Sequence, residues 1–422
     1  MFTRFSRFPW LPCILAGALV ARLGAAVLIQ HLVDQTPGQV CLIAGDAQGY
    51  WDLAGHLSRG EDFAIYNPPR YALRMPGLPL VMAGGMTVFG ESALGMRILL
   101  AFVGTAACWL VYRLGRELVD HSTGLVACFL AAISPAFVGF SVLLLSETLF
   151  AAALLASLIA FAKLAKIDTK DVEEFPTRRA AVLAAVAGLL SGMATLVRPT
   201  WLLVAPAYGL WLLLPARNRR RRLWHAALVL AGLSLALAPW TIRNALVTGH
   251  FVPTTLWMGP SLYDGLSLHA TGISNMEFIE ADGLYRRPDI SEYEADRHYT
   301  HAALTFAREH PARACKLAAA KLWRFCNPFP NAEQFANWTV WLGVGLFEIP
   351  VLLLAAVGFW HERRSPRCWA LAAGPVLYFA MIHTVFVGSL RYRLPAEYAL
   401  LVLTAVGGRR LVTTAAGGLS TC

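Results

Sequence analysis

Asp46, Glu147, Arg198, Arg243 and Arg391 lie far apart in the sequence, each beside a long apolar run, in a chain built mainly of Leu, Ala and Val. An ionised group at or inside a membrane is costly unless it is paired or put to use, so charges of both signs converging on one membrane face mark a site. Arginine suits phosphate because its planar fork donates two parallel charge-assisted hydrogen bonds. A neighbouring carboxylate can take the proton of an incoming hydroxyl. Together these are the requirements of glycosyl transfer from a lipid-phosphate sugar, where phosphate is already a good leaving group and needs no second acid to protonate it. The reading assigns Asp46 as catalytic base and Arg391, Arg198 and Arg243 to the donor phosphate, with Glu147, Asp52, His56, Arg74 and Tyr392 as further site candidates.

Asp46 opens the most polar stretch near the N-terminus, residues 45–80. Ala47, Tyr50, Leu53, Ala54 and Leu57 recur at helical spacing after it and Gly60 terminates the run, which predicts a short amphipathic helix at an interface. Asp46 stands where an N-cap would stand, so a cap and a general base are both open to it. Gln48, Asp52 and His56 fall at i, i+4 and i+8, the polar stripe of the same helix. Arg391 and Arg393 precede Pro395, and an extended RYR segment would point both arginines the same way.

The elements that must carry these residues are membrane spans. The 422 residues are 57% hydrophobic and 15% charged, with a mean hydropathy of +0.53, which no ordinary soluble domain shows. Apolar runs of roughly 17 to 22 residues, matched to a ~30 Å hydrocarbon core, lie at 10–31, 92–112, 123–141, 147–165, 180–197, 200–215, 223–240, 338–359, 368–388 and 394–413, with a re-entrant piece at 78–89. The fold class is therefore an all-α polytopic membrane protein with about ten transmembrane helices. The first run reads as a retained anchor with its N-terminus in the cytoplasm. Every short loop on that side is then basic, RNRRRR at 217–222 included, as the positive-inside rule requires. The same topology accounts for much of the net charge of +10 and argues against nucleic acid as a partner.

Two long loop regions, 32–77 and 245–337, fall outside. The chain divides into a core over 1–244, an external loop region over 245–337 and C-terminal helices over 338–422. Residues 292–309 carry an amphipathic helical pattern, and ARACKLAAAKLWRF after Pro311 resembles a basic interfacial helix facing lipid headgroups. Trp240 reads as an interfacial belt residue. Arg22, inside the first run, either snorkels or pairs locally, or lines a polar cavity. The eight cysteines show no CxxC pair and no zinc spacing. A flippase or transporter for lipid-linked sugar is the alternative; it would place charges at mid-membrane depth and show repeat symmetry, and no internal repeat is visible.

GDAQGYWDLAGHLSRGEDF followed by RMPGLPLVMAGGMTVFGES resembles the first external loop of the GT-C superfamily of polytopic glycosyltransferases. Within it, the chain is similar to the bacterial branch related to protein O-mannosyltransferases and lipid A aminoarabinose transferases. LSETLF at 145–150, LVRPT at 196–200, PWTIRN at 239–244 and RYRLPAEYALLVL at 391–403 follow in the family's order. The resemblance implies a polyprenyl-phosphate sugar donor, inversion at the anomeric carbon, Asp46 as the first-loop acid, and a site on the outer face of a bacterial inner membrane. Its partners would be the sugar lipid, the membrane, and a glycan, lipid or protein acceptor. Ala47 stands where many relatives carry a second acid, so no cofactor is implied and a divalent metal stays open. Residues 264–267 read Asp-Gly-Leu-Ser where relatives often show an Asn-containing turn.

Overall fold

The computed structural model describes residues 9–36, 38–42, 45–170, 177–214, 218–330 and 337–419. Among these there is no strand, only an isolated bridge between Ile65 and Arg70. The helices are α1 (Trp10–Asp34), α2 (Asp46–Ser58), α3 (Gly77–Phe89), α4 (Ala93–Leu118), α5 (His121–Ile133), α6 (Pro135–Phe140), α7 (Glu147–Lys170), α8 (Arg178–Val197) and α9 (Val204–Leu213). They continue with α10 (Arg219–Thr248), α11 (Met258–Gly265), α12 (Glu277–Asp282), α13 (Glu292–Glu309), α14 (Pro311–Cys326), α15 (Trp338–Glu362), α16 (Pro366–Val385) and α17 (Leu390–Leu419).

Each expected span is helical. Seven helices are long and apolar enough to cross a membrane by length and composition: α1, α4, α7, α8, α10, α15 and α16. The run at 123–141 breaks into α5 and α6 at Ser134, whose hydroxyl caps α6 while Pro135 takes its first position. The run at 200–215 opens as a 3-10 turn at Pro199–Trp201 before the short α9. Small residues let backbones touch: a Cβ at Gly188 would lie 1.9 Å from the Val229 carbonyl oxygen, which fixes α8 against α10.

The two loop regions pack on one another at one face. Arg70 donates to the carbonyls of Tyr285 (2.9 Å) and Arg287 (2.7 Å), and the Ala72 amide donates to Glu292 (3.0 Å). The helix over 292–309 forms with the expected bounds and starts in a capping box from Ser291 and Glu294.

Several residues differ from expectation for reasons of packing. Of the readings open to Arg22, local pairing holds, and it neither snorkels nor lines the cavity described below. It is fully buried and donates to the carbonyls of Ala18, Ala131 and Ala132, placing its charge on the C-terminal end of α5. Trp240 is a core residue rather than a belt residue: its indole N–H donates to Thr254 (2.7 Å) and its ring meets Phe63 edge-on. In α14, Lys321 is buried and donates to the carbonyls of Thr384 (3.2 Å) and Val385 (2.6 Å) instead of facing lipid. The α10 helix runs through Arg243 and Asn244 to Thr248. Arg4, Arg7 and Arg217, among the basic residues behind the expected orientation, lie outside the described residues.

Candidate active site

Three helices begin at one place. Asp46 is the first residue of α2, Glu147 the first of α7, and Arg391 the second of α17. The positive dipole ends of these helices converge there, which favours an anion. Arg198 sits just past the C-terminus of α8, held extended by the following Pro199. Gly77 brings the other wall close: a Cβ there would lie 2.8 Å from the Leu196 carbonyl oxygen, so the start of α3, and Arg74 just before it, can abut the end of α8 only without a side chain. The turn feeding α7 passes through Leu144 at φ 58°, a left-handed conformation costing about 1–3 kcal/mol for a non-glycine residue.

The side chains form one ionic chain. Arg74 Nη2 donates to Asp46 Oδ1 (3.0 Å), and Arg391 Nη2 donates to Asp46 Oδ2 (3.1 Å). Arg391 Nε also donates to Glu147 Oε1, which accepts from Arg198 Nη2 as well (3.0 Å). Three guanidinium groups against two carboxylates leave one positive charge. Glu147 is 2% exposed and Asp46 34% exposed, so the first is structural ground and the second is open to a ligand. Burial acts to raise the Asp46 carboxyl, but Arg74, Arg391 and Arg198 outweigh it and hold the group well below the usual carboxylate range. The Tyr50 hydroxyl is pushed up by burial and by the Asp46 charge.

The cluster opens into a cavity of ≈ 1470 Å³ bounded by α2, α6, the loop regions and the start of α17. Arg74 lies over Trp257 (4.9 Å) and Arg198 over Tyr392 (5.6 Å), so aromatic faces back both cations. The wall away from the loops is apolar, from Ala136, Phe140, Leu143, Val340, Val344 and Ile382.

Asp46, Glu147, Arg74, Arg198, Arg391 and Tyr392 are thus brought together. Asp46 is not an N-cap; Gly45 occupies that position, and the carboxylate turns to the two arginines instead. Asp52 lines the cavity and accepts from Gln48 (2.8 Å). His56 lies outside the cavity, bonded to the Ala64 carbonyl (3.2 Å). Arg243 is elsewhere: it donates to the carbonyls of Tyr71 and Phe63 (3.1 Å for the latter), anchoring the first loop region. The RYR segment is helical rather than extended, so its two arginines diverge by about 200°. Arg393 is buried and donates to Glu348 and Glu397, each at 3.1 Å. Trp257, Asp264, Arg324 and His383 also line the cavity and were not among the site candidates from sequence, although the segments holding Asp264 and Arg324 stood out there. A histidine inside an apolar span was itself a signal for His383.

A cation does not fit this donor set. Both carboxylates of the cluster are taken by guanidinium groups, Ala47 supplies no ligand, and among the described residues no three of His, Cys, Asp and Glu are grouped to hold an ion.

Residues 72–242 match the family model described as dolichyl-phosphate-mannose-protein mannosyltransferase. Two solved structures of the Archaeoglobus fulgidus oligosaccharyltransferase superpose over nearly the whole chain. AglB in complex with an inhibitory peptide and a dolichol-phosphate has a TM-score of 0.59 at 16% identity over 94% of this chain, and the apo form 0.60 at 17% over 95%. This chain has the GT-C fold. It spans 50% of the length of those oligosaccharyltransferases. ArnT from Cupriavidus metallidurans bound to undecaprenyl phosphate gives 0.43 at 16% identity, covering 96% of this chain and 79% of ArnT. No curated protein matches. Within this chain, the family match includes Arg74, Glu147 and Arg198, while Asp46 and Arg391 lie outside it.

Proposed function

We propose that the chain transfers a sugar from a polyprenyl-phosphate donor to an acceptor hydroxyl, with inversion, at the outer face of a bacterial inner membrane. The observation that carries this reading is the chain Arg74–Asp46–Arg391–Glu147–Arg198 at the mouth of a cavity whose far wall is apolar. A prenyl tail suits the apolar wall, and a phosphate suits the one unbalanced positive charge beside three helix N-termini. AglB, solved with a dolichol-phosphate, supports the donor class.

The chemistry follows from the pairing of Asp46. In the resting cluster three guanidinium groups, those of Arg74, Arg391 and Arg198, draw down its basicity. An arriving phosphate competes for Arg391 and Arg198 and offsets their charge, so Asp46 becomes a better base once the donor is in place. Asp46 then takes the proton of the acceptor hydroxyl. The acceptor oxygen bonds to the anomeric carbon from the face opposite the phosphate. The bond to the phosphate oxygen breaks with its electron pair, giving polyprenyl phosphate. Arg391 and Arg198 stabilise the charge that grows there.

The test is incubation of purified protein with radiolabelled undecaprenyl-phosphate sugars in liposomes. Release of undecaprenyl phosphate with label on an acceptor or in water is the expected result. Redistribution of intact lipid between leaflets without turnover would instead make the chain a flippase.

A further inference from the structure

His383 is a polar side chain that the mechanism above leaves unused. It lies near the C-terminal end of α16, is 5% exposed, and forms part of the cavity wall. Its ring is sandwiched: Tyr392 stacks on it with centroids 4.5 Å apart and planes 13° apart, and Phe325 lies 5.9 Å away at 17°. Tyr392 in turn sits beneath the guanidinium groups of Arg198 (5.6 Å) and Arg391 (5.9 Å). The imidazole is thus one ring removed from the cations assigned to the donor phosphate.

The hydrogen bond on one nitrogen fixes what the other can do. His383 Nδ1 lies 2.7 Å from the Val387 carbonyl oxygen. A carbonyl only accepts, so Nδ1 carries the proton, and in the neutral ring Nε2 is a lone-pair acceptor. Nε2 makes no hydrogen bond among the described residues. A phosphate oxygen is itself an acceptor and cannot be its partner. A hydroxyl can. The Asp264 carboxylate, 4% exposed, also faces this cavity and already accepts from the Ser274 hydroxyl (2.7 Å) and the Asn275 amide (2.8 Å). His383 Nε2 and the Asp264 carboxylate are thus acceptors that a ligand in this cavity can meet, beside the donors of Arg391 and Arg198.

We infer that His383 is a sugar-binding residue: Nε2 accepts a hydrogen bond from a hydroxyl of the donor's sugar while Arg391 and Arg198 hold its phosphate. This rests on the donor reading given above. An acceptor placed against a sugar hydroxyl makes His383 a determinant of which sugar is taken, because a donor lacking that hydroxyl loses the bond to Nε2.

The experiment measures binding and needs no acceptor. Dissociation constants are determined in detergent for bare undecaprenyl phosphate and for undecaprenyl-phosphate glucose, mannose and galactose, with wild type, His383→Phe and His383→Gln. Phenylalanine keeps the stack on Tyr392 and removes the acceptor; glutamine restores an acceptor. The wild type is expected to bind the best glycosylated lipid more tightly than the bare phosphate. His383→Phe should lose roughly 2- to 12-fold of that advantage, the worth of one neutral hydrogen bond, with affinity for bare phosphate unchanged, and His383→Gln should recover part of it. Unchanged preference in His383→Phe overturns the assignment. Equal weakening of bare and glycosylated lipid overturns it in favour of a phosphate contact or a structural role. If the wild type binds all four lipids alike, the sugar assignment fails and the phosphate site stands. Binding of none overturns the donor reading as well.

Discussion

Replacing Asp46 with Asn separates its chemistry from its place in the fold. The amide keeps the shape and loses one negative charge. Because Gly45 rather than Asp46 occupies the N-cap position, α2 loses no cap. What weakens are two charge-assisted bonds, to Arg74 at 3.0 Å and to Arg391 at 3.1 Å. Such bonds contribute about 1.5–3 kcal/mol each when buried. With a third of the Asp46 side chain exposed, solvent screening brings the expected loss to about 1–2 kcal/mol in total, which a folded membrane protein tolerates. Transfer should fall at least ~100-fold, the lower range for loss of a general base. The cluster's excess charge rises by one, so donor affinity should hold or tighten, and the loss should appear in kcat rather than in donor KM. The assay is release of undecaprenyl phosphate at saturating donor, with thermal stability as the folding control. Turnover within ~10-fold of wild type, or a loss carried wholly by donor KM, would refute the assignment. The pH profile gives an independent check. A carboxyl held below its usual range stays ionised above that range and loses its charge, and the stabilisation that charge contributes, only as pH falls further. The free enzyme's kcat/KM should therefore show no acidic limb from Asp46 between roughly pH 5 and 8.

Arg391→Lys removes the fork that bridges Glu147 and Asp46, and should raise donor KM or lower kcat by about 10-fold or more with little loss of stability. Arg393→Lys should do the reverse, since Arg393 serves Glu348, Glu397 and the carbonyls of Phe325 and Asn327: a stability loss of roughly 1–3 kcal/mol with donor KM unchanged. Activity should persist in excess chelator and gain nothing from added Mg2+ or Mn2+; a several-fold loss that manganese restores would show that a cation displaces the arginines. Single cysteines at Ser58 and Glu309, in a background free of the other cysteines, should react with an impermeant maleimide in intact spheroplasts, and protection of both until lysis would reverse the proposed orientation.

Sequence alone determined the helices, because hydropathy and capping act over a few residues. Eight of the ten apolar runs fall mainly within single helices while 123–141 and 200–215 break near prolines, Gly60 with φ +74° ended α2, and 292–309 formed as its periodicity required. Sequence also narrowed the site to charges at the span ends, since a membrane makes each of them costly. Which charges meet was decided only in three dimensions. Arg243 and Arg198 look equivalent along the chain, each at the end of an apolar run. Packing sends Arg243 to loop carbonyls and Arg198 to Glu147. Arg391 and Arg393 are two residues apart, and the helical start of α17 turns one toward Asp46 and the other toward Glu348. The rotation of a helix about its axis, and the partner it abuts, depend on contacts among residues hundreds of positions apart. No local pattern encodes them, which is why the polarity of His383 inside an apolar run could flag it, but its place in the cavity wall became visible only in the folded chain.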